Sequence, residues 1–115
     1  MVRHMPKSAD TIDELFKALA DPTRRHVVER LADGPASTSA LAEPFDMALP
    51  SFTQHLAVLE RAGIVTSAKH GRTRTFRLTP SGLDGLTVWL AEQQLVWAQR
   101  LDQFDAFVIN QQENT

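Results

Sequence analysis

A chain of 115 residues with 43% hydrophobic and 23% charged side chains has the size and composition of one ordinary globular domain. It contains no cysteine, which excludes disulfides and thiolate metal sites, and no apolar run approaches the length of a membrane span. The formal net charge of −2 argues against a nucleic-acid binder only until its placement is considered. Residues 51–80 carry Arg61, Lys69, Arg72, Arg74 and Arg77 against Glu60 alone, a net of +4, whereas residues 1–50 total −2 and residues 81–115 total −4. Cationic charge is thus gathered on one segment, as contact with a phosphate backbone requires. Met1 to Asp10 lacks the apolar core of a signal peptide, so a cytoplasmic location without membrane association is expected.

Residues 1–9 are expected to form a flexible arm. A first helix starting near Asp10 or Thr11 carries Ile12, Leu15, Phe16 and Leu19 as an apolar stripe, with Asp13 and Glu14 in the first turn, where carboxylates suit the helix dipole. Asp21-Pro22-Thr23 is a helix start, a capping carboxylate followed by proline at the first helical position. The second helix runs from Thr23 to about Ala32 with Val27, Val28 and Leu31 inward, and Asp33-Gly34-Pro35 ends it. Arg24 and Arg25, near that start, are candidates for phosphate contact, set against ordinary solvated arginines. Ser37-Thr38-Ser39 offers a cap for a short third helix that buries Leu41, Ala42 and Phe45.

After a turn from Phe45 to Ala48, the stretch ALPSFTQHLAVLERAG, residues 48–63, reads as one amphipathic helix. Phe52, Leu56 and Leu59 recur at helical spacing, with His55 on the rim of the stripe. Pro50 lies in the first turn, and Gly63 follows as the stop. The opposite face carries Pro50, Thr53, Gln54, Ala57 and Arg61, with no acidic residue. A solvated helix face usually carries both signs of charge, so this one is suited to approaching another molecule. Two strand-forming runs over residues 64–78 then meet at His70-Gly71. Phe76 and Leu78 share the parity expected to face the core, and Thr73, Thr75 and Arg77 share the other. A polar-faced helix followed by a basic hairpin predicts a winged helix-turn-helix: mainly α with a β-hairpin (α+β), about five helices and a two-stranded wing.

A last helix is expected over residues 81–110, with 111–115 frayed. Its apolar positions are Leu83, Leu86, Trp89, Leu90, Val96, Trp97, Leu101, Phe104, Phe107 and Val108. A domain this small cannot bury them all, so a homodimer seam is expected, drawing on Leu15, Trp89, Leu90, Val96, Trp97, Leu101, Phe104 and Val108.

Three stretches in this order, LADPTRR (19–25), TQHLAVLERAGIV (53–65) and GRTRTF (71–76), resemble the ArsR/SmtB family of bacterial winged-helix repressors over roughly residues 11–108. The resemblance implies a symmetric dimer whose paired recognition helices enter successive major grooves of a pseudo-palindromic operator, with repression relieved by a signal. Many members sense metals through Cys-x-Cys or through Asp/His ligands on the terminal helix. This chain departs from that pattern: it has no Cys, and His4, His26, His55 and His70 all precede the terminal helix. No metal site and no cofactor are expected, and sensing is left to a separate sensor protein, a small-molecule inducer, or nothing.

Gln54 is the leading candidate for a base contact, because its amide pairs bidentately with adenine N6 and N7. Thr53 adds a hydroxyl and a methyl suited to thymine, Ser51 a phosphate contact, and Leu49 and Pro50 packing against sugar or methyl groups. Arg61, Lys69, His70, Arg72, Arg74 and Arg77 are assigned to the DNA backbone, with Arg72 and Arg74 beside the Gly71 turn reaching toward a neighbouring minor groove. The alternative is a winged-helix module that binds another protein or serves as a co-regulator. No nucleophile arrangement, phosphate loop or carboxylate pair for an enzyme is readable.

Overall fold

The structure, a computed structural model, describes residues 8–113. Its elements in order are helix α1 (Ser8–Leu19), helix α2 (Pro22–Leu31), strand β1 (Ala36–Ser37), helix α3 (Thr38–Ala42), helix α4 (Leu49–Arg61), strands β2 (Val65–His70) and β3 (Thr73–Leu78), and helix α5 (Asp84–Glu113). The chain divides into two compact units, one through Gly85 and one from Leu86 onward. The arm expected for residues 1–9 falls mostly outside the described residues, and α1 already includes Ser8 and Ala9.

In the first unit the core is built on α4. Phe52, Leu56 and Leu59 are buried there together with Leu15 and Ala18 of α1, Val27 and Leu31 of α2, Leu41 of α3, and Ile64, Val65 and Phe76 of the hairpin region. Leu15, expected at a dimer seam, is only 2% exposed and belongs to this core. Phe16, expected inward, is instead 41% exposed. One residue on from Leu15 is about 100° around the helix, and α1 buries only the narrower stripe through Leu15 and Ala18.

Helix starts and stops follow their chemistry. Asp21 sits in extended geometry and its carboxylate accepts from the Arg24 N–H at 3.1 Å. Ser37 caps α3 by accepting from the Ala40 N–H at 3.1 Å. Gly63 ends α4 with φ +82°, while the N–H groups of Gly63 and Ile64 donate to the carbonyls of Glu60 and Leu59, each at 3.0 Å. That pair of bonds is the Schellman arrangement, and its usual hydrophobic contact is supplied by two buried residues, Ile64 and Leu59.

The sheet is antiparallel with order β1-β3-β2. The expected two-stranded wing runs in register from Val65↔Leu78 to His70↔Thr73. It gains a third strand of two residues, Ala36↔Phe76 and Ser37↔Thr75, which anchors the wing's base to the start of α3.

Helix α5 begins at Asp84, three residues later than expected, because the Thr79–Gly82 segment is used as a turn. Thr79 N–H donates to the Ile64 carbonyl at 2.9 Å, and Gly82 N–H to the Thr79 carbonyl at 2.9 Å. A Cβ at Gly82 would lie 3.0 Å from both the Gly63 carbonyl oxygen and Ile64 Cα, so this close backbone approach favours glycine. The helix continues to Glu113, past the fraying expected from 111, and residues 114–115 lie outside the described region. Within the second unit, Leu90, Val96, Trp97, Leu101 and Phe104 are exposed, as are Leu95, Phe107 and Ile109. No described helix is long and apolar enough to cross a membrane.

Candidate nucleic-acid interface

Burial of Phe52, Leu56 and Leu59 fixes the rotation of α4, and this leaves Pro50, Ser51, Thr53, Gln54 and Ala57 exposed. The helix starts at Ala48 without a side-chain cap, with proline in the first turn. The Thr53 hydroxyl donates to the Pro50 carbonyl at 2.9 Å. Its proton is therefore committed, and the side chain offers a partner its lone pairs and its methyl. The exposed face has two flanks: Thr53 and Ala57 lie toward the wing, whereas Pro50, Ser51 and Gln54 lie toward α2.

On the wing side an open groove of about 400 Å³ runs between α4 and the hairpin, with Thr53 and Ala57 on one wall and Lys69, Arg72 and Arg74 on the other. Arg74 has the parity of Phe76, so it lies on the side of the sheet that faces α4. Its Nη1 donates to the Ser67 hydroxyl at 2.8 Å, and that hydroxyl donates to Glu60 Oε2 at 2.8 Å. Arg74 is thus held back against α4, whereas Arg72 stands exposed in the two-residue loop at the wing's tip beside His70. Lys69 and Arg74 are direct cross-strand partners. Like charges placed opposite each other destabilise a bare sheet and favour an anion beside them. Arg77 is exposed with the opposite parity.

The structure separates Arg61 from this group. It stands two turns beyond Gln54 and lines a small cleft with Glu14, Lys17, Val58 and Ala62, on the α1 side of the helix.

The flank toward α2 holds a network that sequence reading did not find. Arg24 Nε donates to the Ala18 carbonyl at 2.7 Å and Nη2 to the Lys17 carbonyl at 2.8 Å, while Arg25 Nη1 donates to the Leu19 carbonyl at 2.8 Å. These three nitrogens of the two arginines thus satisfy carbonyls at the end of α1, where positive charge also suits the helix dipole. The third Arg24 nitrogen, Nη1, lies 3.0 Å from His55 Nδ1, and the same Nδ1 lies 3.8 Å from Asp21 Oδ2. His55 therefore ties α4 to the start of α2 rather than only packing beside Leu56. No spacing rule relates positions 24 and 55, so the pair was not legible. His26 makes an edge-on contact with Phe45, ring centroids 5.2 Å apart.

Partial burial of Asp21 raises its affinity for a proton, but the Arg24 N–H, the nearby His55 and the Arg24 charge together outweigh this and hold the carboxyl below its ordinary value of 3.8. A lowered carboxyl contributes stability that is fully present above that ordinary value and is lost as pH falls through the lower, folded one. Asp21→Ala is expected to cost about 0.5–2 kcal/mol at pH 7, the usual worth of a helix cap. Urea unfolding at pH 7 and pH 3 checks it: the gap from wild type should narrow at pH 3, and a gap equally wide at both contradicts this role.

Among the described residues, no group of three or more His, Cys, Asp or Glu side chains is arranged to hold a metal ion.

A short capped helix and a tight turn leading into a helix with a bare polar face, flanked by a basic hairpin, define a winged helix-turn-helix protein. A helix-turn-helix domain family matches residues 19–68. The chain is similar to the HTH-type transcriptional regulator Rv2034 of Mycobacterium tuberculosis, 43% identical over 74 residues, covering 64% of this chain and 69% of that protein. It is similar to the transcriptional repressor SdpR of Bacillus subtilis, 29% identical over 79 residues, covering 69% and 88%. Among solved structures, the ArsR family transcriptional regulator RHA00566 superposes with a TM-score of 0.77 at 47% identity, covering 82% of this chain and 97% of that one. The chain belongs to the ArsR family of winged helix-turn-helix transcriptional regulators.

Proposed function

We propose that the chain is a dimeric, sequence-specific DNA-binding repressor. Its α4 enters the major groove of each half of a pseudo-palindromic operator, and its wing lies on the adjacent backbone and minor groove. The observation that carries this is the exposed face of α4, Pro50, Ser51, Thr53 and Gln54, beside a groove whose far wall is Lys69, Arg72 and Arg74. Side chains that read base edges sit next to cations that neutralise phosphates. Thr53 and Gln54 take the base contacts, Ser51 and Pro50 the margin of the helix start, and Lys69, His70, Arg72, Arg74 and Arg77 the backbone. Arg61 serves as a more distant charge. Repression, rather than activation, is supported by the name of the similar SdpR.

Dimerisation is assigned to α5. Leu90, Trp97, Leu101, Phe104 and Val108 fall at the alternating three- and four-residue steps of a heptad seam, interrupted once at Gln94, and all but the half-buried Val108 are exposed. Trp89 and Val96 flank that seam.

The test is binding to duplex DNA at several salt concentrations. Steep loss of affinity with salt is expected, and Arg72→Ala should weaken all duplexes alike and reduce the salt slope by about 1. Binding that ignores salt would mean that the basic hairpin serves another partner.

A further inference from the structure

The flank of α4 away from the wing carries chemistry that these contacts leave unused. Between the start of α2 and α4 lies an open cleft of about 320 Å³ lined by Arg24, Pro50, Ser51, Gln54, His55 and Val58. Ser51 and Gln54 belong both to this cleft and to the exposed face of α4, so a duplex lying on that face carries its backbone past the cleft mouth.

The bond between Arg24 and His55 fixes the state of the imidazole. Arginine has donors only, so the 3.0 Å approach of Nη1 to His55 Nδ1 requires an unprotonated Nδ1 that accepts. Asp21 Oδ2, 3.8 Å from that nitrogen, is beyond hydrogen-bond reach but within range of an ion pair. The charged groups that face His55 are Asp21 and Arg24, both from the start of α2, and the cleft lining adds no further ionisable side chain.

We propose that this cleft is a proton-gated site for a DNA phosphate, in which protonation of His55 moves it from Arg24 to Asp21 and releases the Arg24 Nη1 donor to the phosphate. The proposal rests on the DNA-binding function above. With a proton on Nδ1, two N–H donors would face each other at the Arg24 contact, so the imidazolium turns to the Asp21 carboxylate. Arg24 stays anchored through Nε and Nη2 on the Ala18 and Lys17 carbonyls. Its freed Nη1, the Ser51 hydroxyl and the added positive charge then serve one anion. Because proton and phosphate favour the same state, each strengthens binding of the other, and duplex affinity rises as pH falls.

The experiment uses the full chain and a labelled duplex that it recovers from a random pool, at pH 8 and pH 6 with ionic strength held constant. Wild type is expected to bind about fivefold tighter or more at pH 6, where one fully linked proton allows up to about tenfold per pH unit. In a His70→Gln background, which removes the other histidine assigned to DNA, His55→Gln, whose amide oxygen accepts from Arg24 at either pH and never titrates, should lose that gain, and a His26→Gln control should keep it. In wild type at pH 7, the His55 ring C2–H resonance should move toward its protonated position when duplex is added, a readout that needs no variant. Equal pH ratios with and without His55→Gln in that background, or an unmoved resonance, overturn the gate while salt-sensitive binding leaves the DNA-binding function standing. A chain that binds no duplex overturns both.

Discussion

Gln54→Ala is expected to relax base preference at a single position of each operator half-site, lowering discrimination there by about 1–3 kcal/mol, the worth of one bidentate side-chain pair with a base. The expectation follows from the placement of the side chain. Phe52, Leu56 and Leu59 set the rotation of α4 and turn position 54 outward, beside Ser51 and one turn on from Pro50. An amide there offers one donor and one acceptor in a plane, which matches adenine N6 and N7. Competition among duplexes that differ at single base pairs measures the effect. The variant should tolerate all four bases more evenly at one position and keep its preferences elsewhere. A uniform loss across all duplexes would instead place Gln54 on the phosphates.

Phe52→Ala is expected to carry the largest stability cost, about 3–5 kcal/mol, as for other buried aromatic truncations. Phe52 has no exposed surface and sits 5.5 Å, centroid to centroid, from Phe45 in the turn that precedes α4. Removing the ring opens a cavity between the turn and the helix, and therefore loosens the geometry that presents Thr53 and Gln54. Against a total of about 5–15 kcal/mol for a typical domain, the loss is large. Urea unfolding followed by circular dichroism reads it, and a cost below about 1 kcal/mol would mean that the site collapses around the missing ring.

Much of this architecture was legible because its signals are local. The 52/56/59 spacing, proline at the start of α4 and glycine at its end fix one helix, and period-two parity places Phe76 inward in β3. The same parity places Arg74 toward α4, although its position beside the turn suggested an outward reach; Ser67 and Glu60 hold it there. Strand β1 was missed because two residues are too few to show a pattern. The late start of α5 depends on the contact of Gly82 with residues 63 and 64, a relation between distant positions. Arg24 and His55 lie 31 residues apart, and only the folded chain brings them together. Leu15 and Phe16 show the limit of a stripe read from one helix, since the neighbouring elements decide how wide a face is covered.

Selection of bound duplexes from a random pool by the full chain tests most directly whether the exposed face of α4 reads DNA as a pair. An enriched inverted repeat is predicted, with half-sites centred about one helical turn, 10–10.5 base pairs, apart. A pool that emerges without enrichment, or enriched only in a single unrepeated element, contradicts the account.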